Sequence, residues 1–315
     1  MLASVVICTH NPCKKNLERV LEGLRLQSLD IREWELLLID NSSETPLNGR
    51  YDLSWHPHAR NIREETIGLT PARLRGIVES NGETIVFVDD DTVLSSSYLE
   101  HVLAISQEYP FIGAWCGSSI PEYEKPLPKW IGNEVWRLTV VDVERDIWGN
   151  DPDGAGVPFG AGLCVRRNVG LQFLDLCEND SNRRMLDRIG IALAGYGDVD
   201  LALCAVDIGL GVGRFMRLQL THIIPAGRMT LDYFLRHAEG DASSRMLFRA
   251  IRGYPIEQAK QLNCFTRFCM LFHRIRTGIS KEHFRIQQAH HLGLCRGYNL
   301  AISYLRRKDK KQISL

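Results

Sequence analysis

No stretch of about 18 apolar residues occurs in this chain, so no membrane-spanning helix is expected. The first residues, Met1-Leu2-Ala3-Ser4-Val5, put no basic segment ahead of an apolar one, and no secretory leader is expected. An excess of one charge is lacking too: 38 Lys and Arg balance 38 Asp and Glu. That removes any global electrostatic case for nucleic acid as a partner. The nine cysteines include no CxxC spacing, and an odd, unpatterned count fits a reducing cytoplasm better than a disulfide framework. What remains is a chain of 315 residues, 44% of them hydrophobic. That is enough for a sizeable core and one or two soluble domains.

The organising stretch is Thr84-Ile85-Val86-Phe87-Val88-Asp89-Asp90-Asp91-Thr92. Its apolar half reads as a short strand buried on both faces, as in a parallel sheet. Its acidic half then falls at the strand's carboxyl end, where open α/β sheets place their ligands. Three adjacent carboxylates repel one another, and a hard divalent cation would relieve that repulsion. Taken alone, the triplet reads better as a solvated acidic turn that closes a strand.

Ser4-Val5-Val6-Ile7-Cys8 is a second such strand, stopped by the polar turn Thr9-His10-Asn11-Pro12. Leu17, Val20, Leu21 and Leu24 then give one apolar face of a helix over residues 13–28. Glu35-Leu36-Leu37-Leu38-Ile39 is a buried strand that stops at Asp40, completing a βαβ unit. Arg60-Asn61-Ile62-Arg63 reads as a short strand. Thr70 and Pro71 suit the N-cap and first position of a helix that carries Arg73 in its first turn. A cation there opposes the helix dipole, which invites an anionic ligand nearby or marks a plain surface Arg.

Further helix and strand are expected over residues 96–107 and 112–116. Residues 121–158, rich in Pro and Trp, read as a long loop of functional type. Trp136 is expected to anchor it, while Trp130 and Trp148 are left open between anchoring and ligand stacking. Gly160-Ala161-Gly162 is a small-residue turn, fit for close approach of a ligand or of a packed neighbour. Asp198 or Asp200 can cap the helix that follows them. His222, after a strand at residues 214–221, reads alone as structural. From Met229 the chain reads helical. Residues 265–276 mix apolar and Arg residues, and the end, Arg306-Arg307-Lys308-Asp309-Lys310-Lys311, is basic. Such helices either pack on the domain or lie on an anionic membrane surface.

In order, Ile7-Cys8-Thr9-His10-Asn11-Pro12, Ile39-Asp40-Asn41-Ser42-Ser43, Gly68-Leu69-Thr70-Pro71-Ala72-Arg73, Phe87-Val88-Asp89-Asp90-Asp91, Gly160-Ala161-Gly162 and Gly197-Asp198-Val199-Asp200-Leu201 resemble family 2 glycosyltransferases of the GT-A fold. These include bacterial enzymes that build surface polysaccharides. The resemblance covers roughly residues 3–240. It implies an α/β fold with a mixed, mostly parallel sheet flanked by helices. It places a catalytic domain at 1–228, split into a nucleotide-binding half (1–117) and an acceptor-binding half (118–228), with a helical extension at 229–315.

The resemblance also assigns roles. Thr9, Asn11, Asp40, Arg73, Asp89 and Asp90 match positions that hold the nucleotide sugar, Asp40 reading its base. Asp91 and His222 match the ligands of Mg²⁺ or Mn²⁺. Asp198 matches the catalytic base, with Asp200 its rival because Gly197 stands where the family carries Glu. Gly160, Ala161, Gly162 and Asp200 match the donor and acceptor loops. The implied activity is inverting transfer from a nucleotide-diphosphate sugar, of the UDP type, to a glycan or lipid-linked acceptor. The expected location is the cytoplasm, peripheral to the inner face of the membrane. A nucleotidyltransferase should instead carry a Gly-rich phosphate loop after the first strand, which Thr9-His10-Asn11-Pro12-Cys13 is not. A third reading is a non-catalytic nucleotide-sugar-binding module.

Overall fold

The computed structural model describes residues 1–188, 193–258 and 279–313. Cα packing divides the chain into two compact units. The first comprises Met1–Glu124, Leu138–Arg184 and Asp198–Ile224, and holds the whole sheet. The second comprises Lys125–Arg137, Met185–Gly197 and Pro225–Leu315. Two of its segments, Lys125–Arg137 and Met185–Gly197, lie within the residues read as the acceptor half.

In the first unit, β1 (Ala3–Thr9), β2 (Trp34–Asn41), β3 (Ala59–Glu64) and β4 (Thr84–Asp89) run parallel in the order β3-β2-β1-β4. Their centres are apolar on both faces because helices and loops cover both sides. One such helix is α1 (Lys14–Arg25), which buries the stripe Leu17, Val20, Leu21 and Leu24. The other is α2 (Leu69–Glu79). Register brings Thr9 beside Asp40 and Cys8 beside Asp89, so the polar ends of three strands meet at one edge. Chain order reverses between β1 and β4, and the crevice at such a switch point is where ligands bind.

Beyond β4 the sheet becomes mixed. β8 (Cys164–Arg166) runs antiparallel between β4 and β6 (Ile112–Tyr123), and β6 pairs in parallel with β9 (Gly211–Ile224). β5 (Thr92–Leu94) and β7 (Ile147–Gly149) pair antiparallel with β9. α3 (Tyr98–Glu108), α4 (Arg167–Asn179) and α5 (Gly197–Asp207) complete the α/β set. Trp34, Tyr98, Trp115 and Phe215 are fully buried and anchor the core. β6 extends well past Cys116, where its apolar run ends, because β9 supplies hydrogen bonds as far as Tyr123.

Three local expectations are corrected. Helix α2 is capped by Gly68, not Thr70; the Gly68 amide donates to Asn41 Oδ1 at 2.8 Å, and Thr70 is buried inside the first turn. Neither Asp198 nor Asp200 is an N-cap, since α5 already begins at Gly197. Trp136 is not buried as an anchor of its loop, since the residue is 50% exposed.

The second unit packs α6 (Leu231–Ile251) on α7 (Lys281–Ile313). Side chains at Gly293 and Gly297 would collide with the Glu239 and Ser243 backbone, so glycine allows the two helices to approach closely. Residues 265–276 lie outside the described residues. Among the described residues no helix is long and apolar enough to cross a membrane.

Candidate functional site

Asp40 ends β2 almost fully buried. Its Oδ1 accepts from the Ser43 amide at 3.0 Å, and its Oδ2 accepts from the Leu47 amide at 3.0 Å and from Arg63 at 2.9 Å. Burial pushes its carboxyl pKa up, but the bonds from Ser43, Leu47 and Arg63 together outweigh burial and hold it below the ordinary value. The carboxylate therefore shapes the 43–47 loop.

Across from that loop, Asn11 adopts a left-handed φ of 50°, which Asn tolerates. Its amide donates to Ser43 Oγ at 2.9 Å, and its side-chain oxygen accepts from the Glu44 amide at 2.9 Å. A cleft of about 280 Å³ opens here, lined by Asn11, Pro12, Ser43, Glu44, Leu47 and Arg50 among others. Arg63 and the 43–47 loop are contributors that the sequence reading did not assign; the register of β3 against β2, which sets Arg63 opposite Asp40, reveals them.

The acidic triplet divides its work. The Thr9 hydroxyl donates to Asp90 Oδ2, tying the ends of β1 and β4 together. The Thr92 hydroxyl donates to the Asp89 carbonyl and accepts from its amide, closing a tight turn. That turn directs Asp91 toward β9, where its Oδ1 lies 3.7 Å from His222 Nε2, both residues being buried. Register explains the meeting, because Thr92 pairs with His222. Among the described residues no group of three or more His, Cys, Asp or Glu is arranged to hold a metal. The donor set fits a divalent cation only if a ligand supplies further oxygens, as a diphosphate does for Mg²⁺.

The 160–162 turn joins the remaining parts. A Cβ built on Gly160 would fall 2.9 Å from Asp198 Oδ2 and 3.1 Å from Arg73 Nη2, so carboxylate and guanidinium converge on one backbone point. Arg73 is buried and lies over the Phe87 ring, 6.0 Å from its centroid, rather than on the surface. Gly162 has φ +68°, and a Cβ there would meet the Tyr98 hydroxyl at 2.5 Å and Leu220 Cδ2 at 2.7 Å. Tyr98 donates that hydroxyl to the Gly162 carbonyl at 2.8 Å. Leu220 lies two residues before His222 on β9, on the same strand face. One short turn thus ties Arg73 and Asp198 to the strand that carries His222. Ala161 is buried between them.

Asp198 is partly exposed, and its Oδ1 accepts from the Val199 amide at 2.8 Å. Asp200 is fully buried, and both its oxygens accept from Arg183 Nη1 at 2.7 Å. Of the two, Asp198 is the more exposed. Gly197 also has a local reason. A Cβ there would come within 2.5 Å of the Asp187 carboxyl carbon, so a buried carboxylate from the preceding segment fills the space a side chain would need.

A mixed α/β sheet with acidic groups at the carboxyl edge of its parallel strands defines a transferase of the GT-A class. The model for glycosyl transferase family 2 matches residues 4–164, half of the chain, and the chain belongs to that family. A glucosyl-dolichyl phosphate glucuronosyltransferase of Haloferax volcanii is 21% identical over 188 residues, 58% of this chain and 57% of that protein. The chain therefore matches little more than half the length of this curated relative. The crystal structure of S. aureus TarS aligns with a TM-score of 0.50 at 13% identity, covering 93% of this chain and 55% of that one, which supports the fold. The structure of TarS 1–349 covers 97% of this chain and 92% of that one, at 12% identity and a TM-score of 0.49.

Proposed function

We propose that this family 2 member is an inverting glycosyltransferase that moves a sugar from a nucleotide-diphosphate donor, a UDP-sugar, to a hydroxyl of a glycan or lipid-linked acceptor, in the cytoplasm and in polysaccharide biosynthesis. The observation that carries the reading is the convergence of Asp198 and Arg73 on Gly160, beside the β9 face that bears His222. The nucleotide is assigned to the crevice at the ends of β1, β2 and β4, with Thr9, Asn11, Asp40, Asp89 and Asp90 forming its walls. Arg73 supplies positive charge to the donor's phosphates. Asp91 and His222 would hold Mg²⁺ or Mn²⁺. The ion, when bound, offsets the negative charge that develops on the departing diphosphate.

The acceptor hydroxyl is a weak nucleophile at neutral pH. Asp198, partly exposed, takes its proton as the oxygen attacks the anomeric carbon, a step worth roughly 10²–10⁴-fold. A single base acting on the face opposite the leaving group inverts that carbon, as in inverting glycoside hydrolysis. Gly160 and Gly162 keep the turn thin enough for donor and acceptor to meet.

Calorimetry tests the assignment. Wild-type protein should bind UDP in the presence of Mn²⁺ and lose that binding in EDTA, and Asp91→Ala should lose it in either condition. Undiminished metal-dependent binding by Asp91→Ala would remove the metal role from this residue. Failure of wild-type protein to release nucleotide from any UDP-sugar would favour a binding module.

A further inference from the structure

Between β7 and β8 the chain runs from residue 150 to residue 163 through turns and bends, with no helix or strand of its own. Its last part is the turn that brings Gly160 beside Asp198 and Arg73. Such a segment keeps its place through the contacts that regular elements make with it. The carboxyl-terminal arm of the turn is held from α3 and β4. Tyr98 donates to the Gly162 carbonyl at 2.8 Å, and the Phe87 amide donates to the Leu163 carbonyl at 2.8 Å. The amino-terminal arm, Val157 to Phe159, is held from β9.

The residue that holds it is Arg214, set in register with Cys116 of β6 and Ile147 of β7. Arg214 is half-buried. Its Nε donates to the Val157 carbonyl at 2.8 Å, and its Nη2 donates to the same oxygen at 2.5 Å. Its guanidinium lies over the Phe159 ring, 5.4 Å from the centroid. One side chain therefore grips two positions of the arm, the backbone at Val157 and the ring at Phe159. Val157 is buried, so little water competes for the bond to its carbonyl. A planar cation with two N–H groups on one edge suits both tasks at once.

Gly160 follows Phe159 directly and has no slack toward its neighbours. A single added Cβ there would fall 2.9 Å from Asp198 Oδ2 and 3.1 Å from Arg73 Nη2. A small displacement of the arm therefore reaches both side chains. We propose that Arg214 is a positioning residue for the transfer step: it braces the 157–159 arm so that the Gly160 turn sits correctly against Asp198. This rests on the transferase reading given above. The walls assigned to the nucleotide carry their own bonds, from Asn11 to Ser43 and from Arg63 to Asp40, and these do not pass through Arg214.

Arg214→Met removes the donors and keeps much of the side-chain volume. In transfer from a UDP-sugar to acceptor, its kcat should fall roughly tenfold or more through displaced geometry. Its KM for the UDP-sugar should stay within about twofold of wild type. Hydrogen exchange followed by mass spectrometry reads the turn itself, without turnover. The Leu163 amide, which donates to the Gly160 carbonyl at 3.2 Å, should exchange faster in Arg214→Met. Amides of β1, β2 and β4 should exchange as in wild type. If Arg214→Met does not fold, Arg214→Gln, with a shorter side chain, should show the same pattern. A wild-type kcat in the variant overturns the proposal. So does a loss of kcat accompanied by faster exchange throughout β1, β2 and β4, which would mark a general loss of fold. If wild-type protein releases no nucleotide from a UDP-sugar, the transferase reading fails, and the role of Arg214 in transfer fails with it. Equal Leu163 exchange in the two proteins overturns the bracing alone.

Discussion

Asp198 and Asp200 lie one turn-edge apart, and exchanging each for Asn should separate a catalytic carboxylate from a structural one. Asp200 is fully buried, and Arg183, 8% exposed, donates to both its oxygens at 2.7 Å. Asp200→Asn leaves the Arg183 charge buried without its counter-ion, a loss of ~3–5 kcal/mol. At ~2–4 °C per kcal/mol for a domain of this size class, the melting temperature should fall by roughly 6–20 °C. Replacing the pair together, by Arg183→Met with Asp200→Leu, removes both charges and should recover most of that loss. Asp198→Asn keeps the size of the side chain and the oxygen that accepts from the Val199 amide, so it should lower the melting temperature less than Asp200→Asn does. Its transfer rate should drop by roughly 10²–10⁴-fold. Differential scanning calorimetry and release of nucleotide from a UDP-sugar in the presence of acceptor read the two effects separately. An Asp200→Asn protein that melts like wild type yet no longer transfers, beside an active Asp198→Asn, would refute the reasoning.

Gly160→Ala places a methyl 2.9 Å from Asp198 Oδ2 and 3.1 Å from Arg73 Nη2; it should lower kcat roughly 10-fold or more through displaced catalytic geometry, with little change in melting. Gly197→Ala should destabilise the protein by displacing the buried Asp187 carboxylate, and Asp187→Ala in the same chain should restore stability, a non-additivity that a double-mutant cycle measures. Glu35 and Asp40 both titrate below their ordinary values of 4.5 and 3.8: burial pushes each up, but Ser4, Asn81 and Arg60 outweigh it at Glu35, and Ser43, Leu47 and Arg63 at Asp40. Depressed carboxyls stabilise the fold above their ordinary pKa, and that contribution is lost as pH falls through the depressed values. Urea midpoints should therefore be level near neutrality and fall steeply below about pH 4, and Asp40→Asn should flatten the fall; an unchanged acid profile would show that these bonds do not form.

The sequence made some of this architecture legible and hid the rest, for physical reasons that differ by element. β1, β2 and β4 were readable because a strand covered on both faces must be apolar throughout, and each run stops where the chain reaches the sheet edge. The polar residue that ends each run, Thr9, Asp40 or Asp89, is therefore marked as an edge residue by composition alone. The proximity of Asp91 to His222 was not marked in that way. It depends on β5 pairing with β9, and only the ordered set of motifs placed both residues at one site.

Partners chosen by tertiary packing left no local trace. Asp200 and Arg183 are joined although 17 positions apart in sequence, and neither periodicity nor capping chemistry could tell Asp200 from Asp198. The same holds for Gly197, which reads in sequence as a lost side chain and in space as room for Asp187. A carboxylate's function follows from what already satisfies it. Asp40 is held in a loop, Asp200 by an arginine and Asp90 by Thr9, whereas Asp198 is half-exposed, with one oxygen on the Val199 amide and the other at the Gly160 turn beside Arg73. That difference in exposure and surroundings, rather than membership of an acidic motif, is what the proposal of Asp198 as the base rests on.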